Sequence, residues 1–234
     1  MIEETDIEIY LFLSKNKFQV CVFDKKNQNN LYSHEVKVDH EFNFQERNDL
    51  SKFLDKNIYK IERLTGNFIK NIILIIDYDK NLNVKISTKK KNYENVINKK
   101  YLDNSLIDLK DLFKQYYQDQ KIMHMIIDNY VVNGNKYSSL ENDQNIQQLC
   151  LEVNFISISN DLVFIFKKLM EKYQIKVSQY MCGNYIKNYL DEDNNELSLI
   201  AYKLKNGMNS NEVILVPKNI ENSGFFEKFF QLFS

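Results

Sequence analysis

An α+β fold is predicted for this chain of 234 residues: a βββαβ unit, a second α+β group inserted after it, and an amphipathic helix at the C-terminal end. Three observations carry the prediction. Residues 7–13, 17–24 and 31–38 are short β-rich runs separated by Lys/Asn turns, the pattern of a meander. Leu50, Phe53, Leu54, Ile58, Ile61 and Leu64 then recur at helical spacing, with Asn48 or Asp49 placed to cap the helix and Gly66 placed to end it. The run from Ile72 to Ile76 is apolar on both faces, as a strand at the centre of a sheet is.

The downstream elements follow from the same rules. A polar strand is expected near 82–88, a helix near 97–117, a strand from Ile122 to Val132 and a hairpin at Asn133-Gly134-Asn135. A strand over 149–158, a helix over 160–173 and a strand over 175–181 complete the second group. A short helix over 184–190, a strand over 197–203 and a polar linker close the body. In domain terms, 5–78 with 178–205 form the first part and 79–177 the inserted subdomain. Residues 206–223 are a linker and 224–234 the terminal helix.

Composition removes whole classes of function. Lys and Arg number 31 against 32 Asp and Glu, a net charge of -1, so no broad basic surface is available to hold nucleic acid by counterion release. Only five glycines occur, Gly66, Gly134, Gly183, Gly207 and Gly224, well below the ~7% of an average protein. They are too scattered to build a dinucleotide fingerprint, a P-loop or a nucleophile elbow. Cys21, Cys150 and Cys182 are odd in number and widely spaced, the pattern of buried thiols rather than of a disulfide framework or a zinc ribbon. The acidic start and the lack of an apolar run near ~18 residues give an expectation of a cytoplasmic body with no spanning helix.

The tail carries the strongest pattern. Placed at 100° per residue, Phe225, Phe226, Phe229, Phe230, Leu232 and Phe233 fall on one side, with Glu227, Lys228 and Gln231 on the other. A helix of roughly 15 Å is too short to cross a bilayer, so these six side chains are read as a membrane-binding face lying in the interface. The competing reading is a helix docked on the protein's own core. Elsewhere, His34 and His40 flank Glu35 and Asp39, a set that suits a solvated strand edge better than a metal site, and His124 among Met123, Met125 and Ile126 reads as an interior histidine. Asp77 and Asp79 end the fourth strand, where a ribonuclease-H-like nuclease would hold metals, but the first-strand centre, Tyr10-Leu11-Phe12-Leu13, has no carboxylate. No catalytic, cofactor-binding or metal-binding residue is expected.

The βββαβ order is that of the first half of an actin or ribonuclease-H-like unit. Several segments, in collinear order, resemble the FtsA family of bacterial cell-division proteins in the actin-like superfamily. Ile61-Glu62-Arg63-Leu64-Thr65-Gly66-Asn67-Phe68-Ile69 is similar to its helix end before an apolar strand. Ile122-Met123-His124-Met125-Ile126 through Val132-Asn133-Gly134 is similar to a strand of its inserted 1C subdomain, and Leu151 to Val177 to the strand and helix that follow. Residues from Leu190 to Leu197 resemble the acidic turn leading into its second phosphate strand, and Gly224 to Ser234 its membrane-targeting helix. The family's phosphate hairpin, Asp-x-Gly-Thr-Ser-Lys, is matched by Phe12-Leu13-Ser14-Lys15-Asn16-Lys17, in which only Lys17 agrees. The family's 2A and 2B subdomains, with the surface that binds the C-terminal peptide of FtsZ, find no match.

What the resemblance implies is a partial actin-like unit with a 1C-like insertion, acting without nucleotide as a non-enzymatic adaptor in cell division. Its implied partners are the inner face of the cytoplasmic membrane and other division proteins. Self-association is an open expectation, and FtsZ binding is not carried over without 2B. Three other readings stand beside it: an actin-like adaptor of pilus or secretion assembly, a metal-dependent nuclease, and a peripheral membrane protein outside division.

Overall fold

A computed structural model describes residues 6–38, 48–91, 99–140, 146–191 and 196–214. Nine strands and five helices occur among them, in the order β1 (Ile7–Ser14), β2 (Lys17–Asp24), β3 (Asn29–Lys37), α1 (Asn48–Thr65), β4 (Asn71–Ile76), β5 (Leu82–Lys91), α2 (Lys99–Tyr116), β6 (Gln120–Val132), β7 (Asn135–Tyr137), β8 (Gln148–Ser159), α3 (Asn160–Glu171), β9 (Lys176–Cys182), α4 (Gly183–Lys187) and α5 (Leu197–Lys205). They fall into two compact units, within Met1–Asn81 with Ser159–Met208 and within Leu82–Ile158 with Asn209–Ser234.

The first unit is built on a five-stranded sheet of order β3-β2-β1-β4-β9. The meander β1-β2-β3 is antiparallel, β4 joins β1 in parallel with Tyr10 beside Ile73 and Leu13 beside Ile76, and β9 joins β4 in parallel. Both faces are covered, which explains why β1 and β4 read as continuous apolar runs. Phe18 on one face of β2 meets Phe53 of α1 edge-on at 5.8 Å, while Phe23, of opposite parity, meets Tyr202 of α5 at 5.1 Å. Tyr10, Leu11, Phe12, Leu13 and Leu74 are among the side chains buried between these layers. This mixed sheet, with a parallel pair reached through α1, is a partial actin-like fold of the α+β class.

The apolar stripe of α1 is rotated from its expected position. Leu50, Phe53, Leu54 and Ile61 are buried as read, but Leu64 faces solvent and the polar Asn57 and Thr65 are buried instead. Their polar atoms are satisfied locally: Asn57 donates to the Phe53 carbonyl and accepts from the Tyr32 hydroxyl, and Thr65 donates to the Ile61 carbonyl. Gly66 ends the helix at φ +72, its amide donating to the Glu62 carbonyl.

The second unit is a four-stranded antiparallel sheet of order β5-β8-β6-β7 covered by α2. Phe113 of α2 stacks on Phe155 of β8 at 4.8 Å between ring centroids, at the centre of its core. Asn133 (φ 50) and Gly134 (φ 93) form the β6–β7 hairpin turn in the left-handed conformations that Asn-Gly supplies.

Three expectations are corrected. Residues 197–203 are helical, within α5, because Ser198, Ala201 and Leu204 together with Ile200 repeat at helical spacing and bury one face; the alternation of Leu197, Leu199 and Ala201 imitated a strand. The insertion expected over 79–177 returns to the first unit at Ser159, so α3 packs on β9 rather than with β8. The expected linker over 206–223 is not free where it is described: the Val213 amide donates to the Met125 carbonyl and the Ile127 amide to the Asn211 carbonyl, pairing this segment with the part of β6 that β7 leaves open.

Candidate functional site

In an open sheet with parallel strands, the crevice at their carboxyl ends is where ligands bind. Here that place is formed by the β1–β2 turn, the residues after β4 and the start of α4. The turn consists of Lys15 and Asn16 alone, between paired Ser14 and Lys17. Neither enters the left-handed region. Ser14 Oγ is 3.1 Å from Asn16 Oδ1 and 3.2 Å from the Lys17 carbonyl oxygen, to which its hydroxyl donates, which holds the turn closed.

The side chains at this place pair among themselves. Lys187 of α4 forms an ion pair with Asp77, whose side chain is 16% exposed. Lys15 pairs with Asp79 at 2.7 Å, and Lys17 with Glu35 at 3.0 Å. Phe12, 3% exposed, lies beneath them, with the ammonium groups of Lys17 and Lys187 each 5.4 Å from its ring centroid. Gly183 brings α4 this close. A Cβ there would stand 3.0 Å from Asp77 Cβ and 3.1 Å from the Asp77 amide nitrogen, a crowding that the Asp77 segment would have to relieve by a few tenths of an ångström.

Lys15, Lys17 and Lys187 each spend their charge on a carboxylate, which weakens the positive field that would collect a polyphosphate. Phe12 offers no oxygen to magnesium, which takes oxygen ligands, and the turn lacks the glycines that let backbone amides approach phosphate closely. A magnesium nucleotide, the group an actin-like fold would carry, does not fit these residues. Asp77 and Asp79 likewise each face a lysine, and no cluster of three or more His, Cys, Asp or Glu suited to a metal occurs among the described residues.

The remaining candidates separate. His124, 1% exposed, is an interior histidine with Nδ1 2.6 Å from Glu212 Oε1. His34 stacks on Phe53 at 5.6 Å, and burial, helped by Lys56 and Lys60, holds its pKa below the ordinary value. Glu35 is taken by Lys17, while Asp39 and His40 lie outside the described residues. So do Phe225, Phe226, Phe229, Phe230, Leu232 and Phe233. Reading the sequence singled out Phe12, Ser14, Lys17, Asp77 and Asp79 but missed Lys187 and Gly183. An isolated glycine directly after a strand, in a chain with so few, was the available signal.

No family model matches the chain, and no curated protein matches it. Solved structures do. A Bacteroides thetaiotaomicron protein described as having an actin-like ATPase fold and unknown function is 14% identical over 81% of this chain and 58% of its own, with a TM-score of 0.31. The cytoplasmic domain of EpsL, an inner-membrane component of the Vibrio cholerae type II secretion system, is 13% identical over 80% and 59%, at 0.34. The PilM-PilN type IV pilus biogenesis complex is 6% identical over 78% and 49%, at 0.47. The chain thus spans about half to six tenths of the length of these structures. Strand order and register, rather than these scores, define the fold as actin-like. No helix among the described residues is long and apolar enough to cross a membrane.

Proposed function

We propose that this protein is a non-enzymatic actin-like adaptor that works through protein contacts and does not use nucleotide. One observation carries the reading. Where a nucleotide would sit, buried Phe12 lies beneath the Lys187–Asp77, Lys15–Asp79 and Lys17–Glu35 pairs. An actin-like unit that does not use nucleotide is a scaffold, and the second α+β unit inserted in its sequence gives it a further surface for partners.

Two settings were raised by the sequence, cell division through the resemblance to FtsA and assembly of a pilus or secretion system. We take the second as the one to test first, since two of the solved structures similar to the chain come from such systems. Attachment to the membrane through Phe225, Phe226, Phe229, Phe230, Leu232 and Phe233 belongs to the same proposal. Imaging a fluorescent fusion in the native cell separates the settings. Envelope foci that disperse when the inner-membrane proteins of a pilus or secretion system are deleted are expected. A midcell band would return the protein to division, and a diffuse signal would remove the membrane from the account.

A further inference from the structure

Phe68 is the most exposed large apolar side chain among the described residues, at 81%. It lies in the loop between α1 and β4, at the end of the sheet opposite Phe12 and Asp77, and lines two grooves that share Asn67, Phe68 and Lys70. One, about 320 Å³, is lined by Ile7, Ile9 and Ile72 from one face of the sheet, by Ile73 from the other and by Ile69 of the loop. The other, about 410 Å³, lies against the end of α1 and is lined by Arg63.

The loop is held in place rather than loosely draped. Asn67 Nδ2 donates to the Thr65 carbonyl at 3.2 Å, the Gly66 amide to the Glu62 carbonyl at 2.8 Å and the Ile69 amide to Glu62 Oε1 at 3.2 Å. The carboxylates around the grooves are therefore occupied, Glu62 by that amide and Glu8 by the Tyr10 hydroxyl and Lys205. Arg63, by contrast, has no ion-pair partner among the described residues.

We propose that these grooves dock a segment of a partner protein in which an apolar side chain, leucine or phenylalanine, stands next to a carboxylate. The apolar group seats against Phe68 beside Ile7, Ile9 and Ile69, and the carboxylate meets Arg63. Aromatic and arginine side chains set beside apolar pockets are the groups that dominate protein interfaces, and a preorganised loop loses little freedom on binding. Ile9, Ile69 and Ile72 are recessed, at 3% to 8% exposure, where a flat bilayer does not reach, which favours a protein segment over a lipid surface. The proposal deepens the adaptor reading by naming the partner's chemistry, but its geometry stands apart from the nucleotide crevice.

The test is an NMR titration of the isotope-labelled full chain with two peptides, acetyl-Glu-Leu-Phe-Glu-amide and acetyl-Lys-Leu-Phe-Lys-amide. The acidic peptide should give saturable shifts at Phe68, Ile69 and Ile73 with a Kd at least tenfold below that of the basic one. Arg63→Glu should reverse that preference. Phe68→Ala should weaken both peptides fivefold or more with an unchanged melting temperature, since the ring is exposed. Shifts that never saturate, or that survive Phe68→Ala, overturn the proposal. Equal affinity for the two peptides would reduce the grooves to an apolar pocket. Phe68-dependent binding to phosphatidylglycerol vesicles, or Phe68-dependent dimerisation, without peptide binding would assign the surface to lipid or to a second copy. Nucleotide binding would end the adaptor reading and leave this titration untouched.

Discussion

Gly183 and Asp77 show how much one atom decides at the closed crevice. A methyl group at position 183 would meet the Asp77 backbone at 3.1 Å, and backbone yields less readily than a flexible side chain. Gly183→Ala should cost about 1 to 3 kcal/mol in urea unfolding, the range for overpacking, and should weaken the Lys187–Asp77 contact. An unchanged midpoint would mean that α4 moves aside freely. Buried phenols make a second prediction at this scale. Burial pushes Tyr130 and Tyr180 up to about 12, above the ordinary ~10. The unfolded chain therefore releases these protons first, so the stability they contribute is whole below pH ~10 and is lost as pH rises toward about 12. Absorbance at 295 nm should show a late group of tyrosines ionising together with the loss of circular dichroism. Ionisation of all fifteen near pH 10 with the fold intact would contradict it.

Among the elements, those whose sequence repeats one period were legible and those that carry two were not. The run Ile72 to Ile76 could only be a central strand, and Asn133-Gly134 only a tight turn, since each combines composition with a single backbone demand. The segment of α5 satisfies both a two-residue and a helical repeat, and only its buried set, Ser198, Ile200, Ala201 and Leu204, decides between them. Asn57 and Thr65 were invisible as core residues because their burial depends on hydrogen bonds to carbonyls one turn back and, for Asn57, on Tyr32 from another strand. The same limit applied to the crevice: Phe12 and Asp77 could be read from the hairpin and strand ends, whereas Lys187 reaches them only through a fold that brings together residues 110 positions apart. For the tail, Phe226→Glu with Phe229→Glu places charge inside the apolar arc. Liposome co-sedimentation should be lost with an unchanged melting temperature. Persistent binding would clear these rings of a membrane role, and a lowered melting temperature would show them packed on the body.

At the scale of the molecule, the account rests on an actin-like sheet at whose carboxyl end Lys15, Lys17 and Lys187 pair with Asp79, Glu35 and Asp77. Exposed ion pairs of the Lys15–Asp79 kind contribute only about 0 to 1 kcal/mol each, so they are a weak source of stability. Their consequence is electrostatic: Lys15, Lys17 and Lys187 each face a carboxylate, and Phe12 occupies the position at which the resemblance expects a metal-binding Asp. A fold can keep its architecture after such a change, because the strands are held by their own apolar faces and not by the ligand. Thermal unfolding of the full chain with and without Mg-ATP tests this most directly, because a ligand at 100 times its dissociation constant would add ~2.7 kcal/mol to stability. The account predicts superimposable unfolding curves up to millimolar Mg-ATP; a saturable rise in melting temperature that requires both the magnesium and the nucleotide would contradict it.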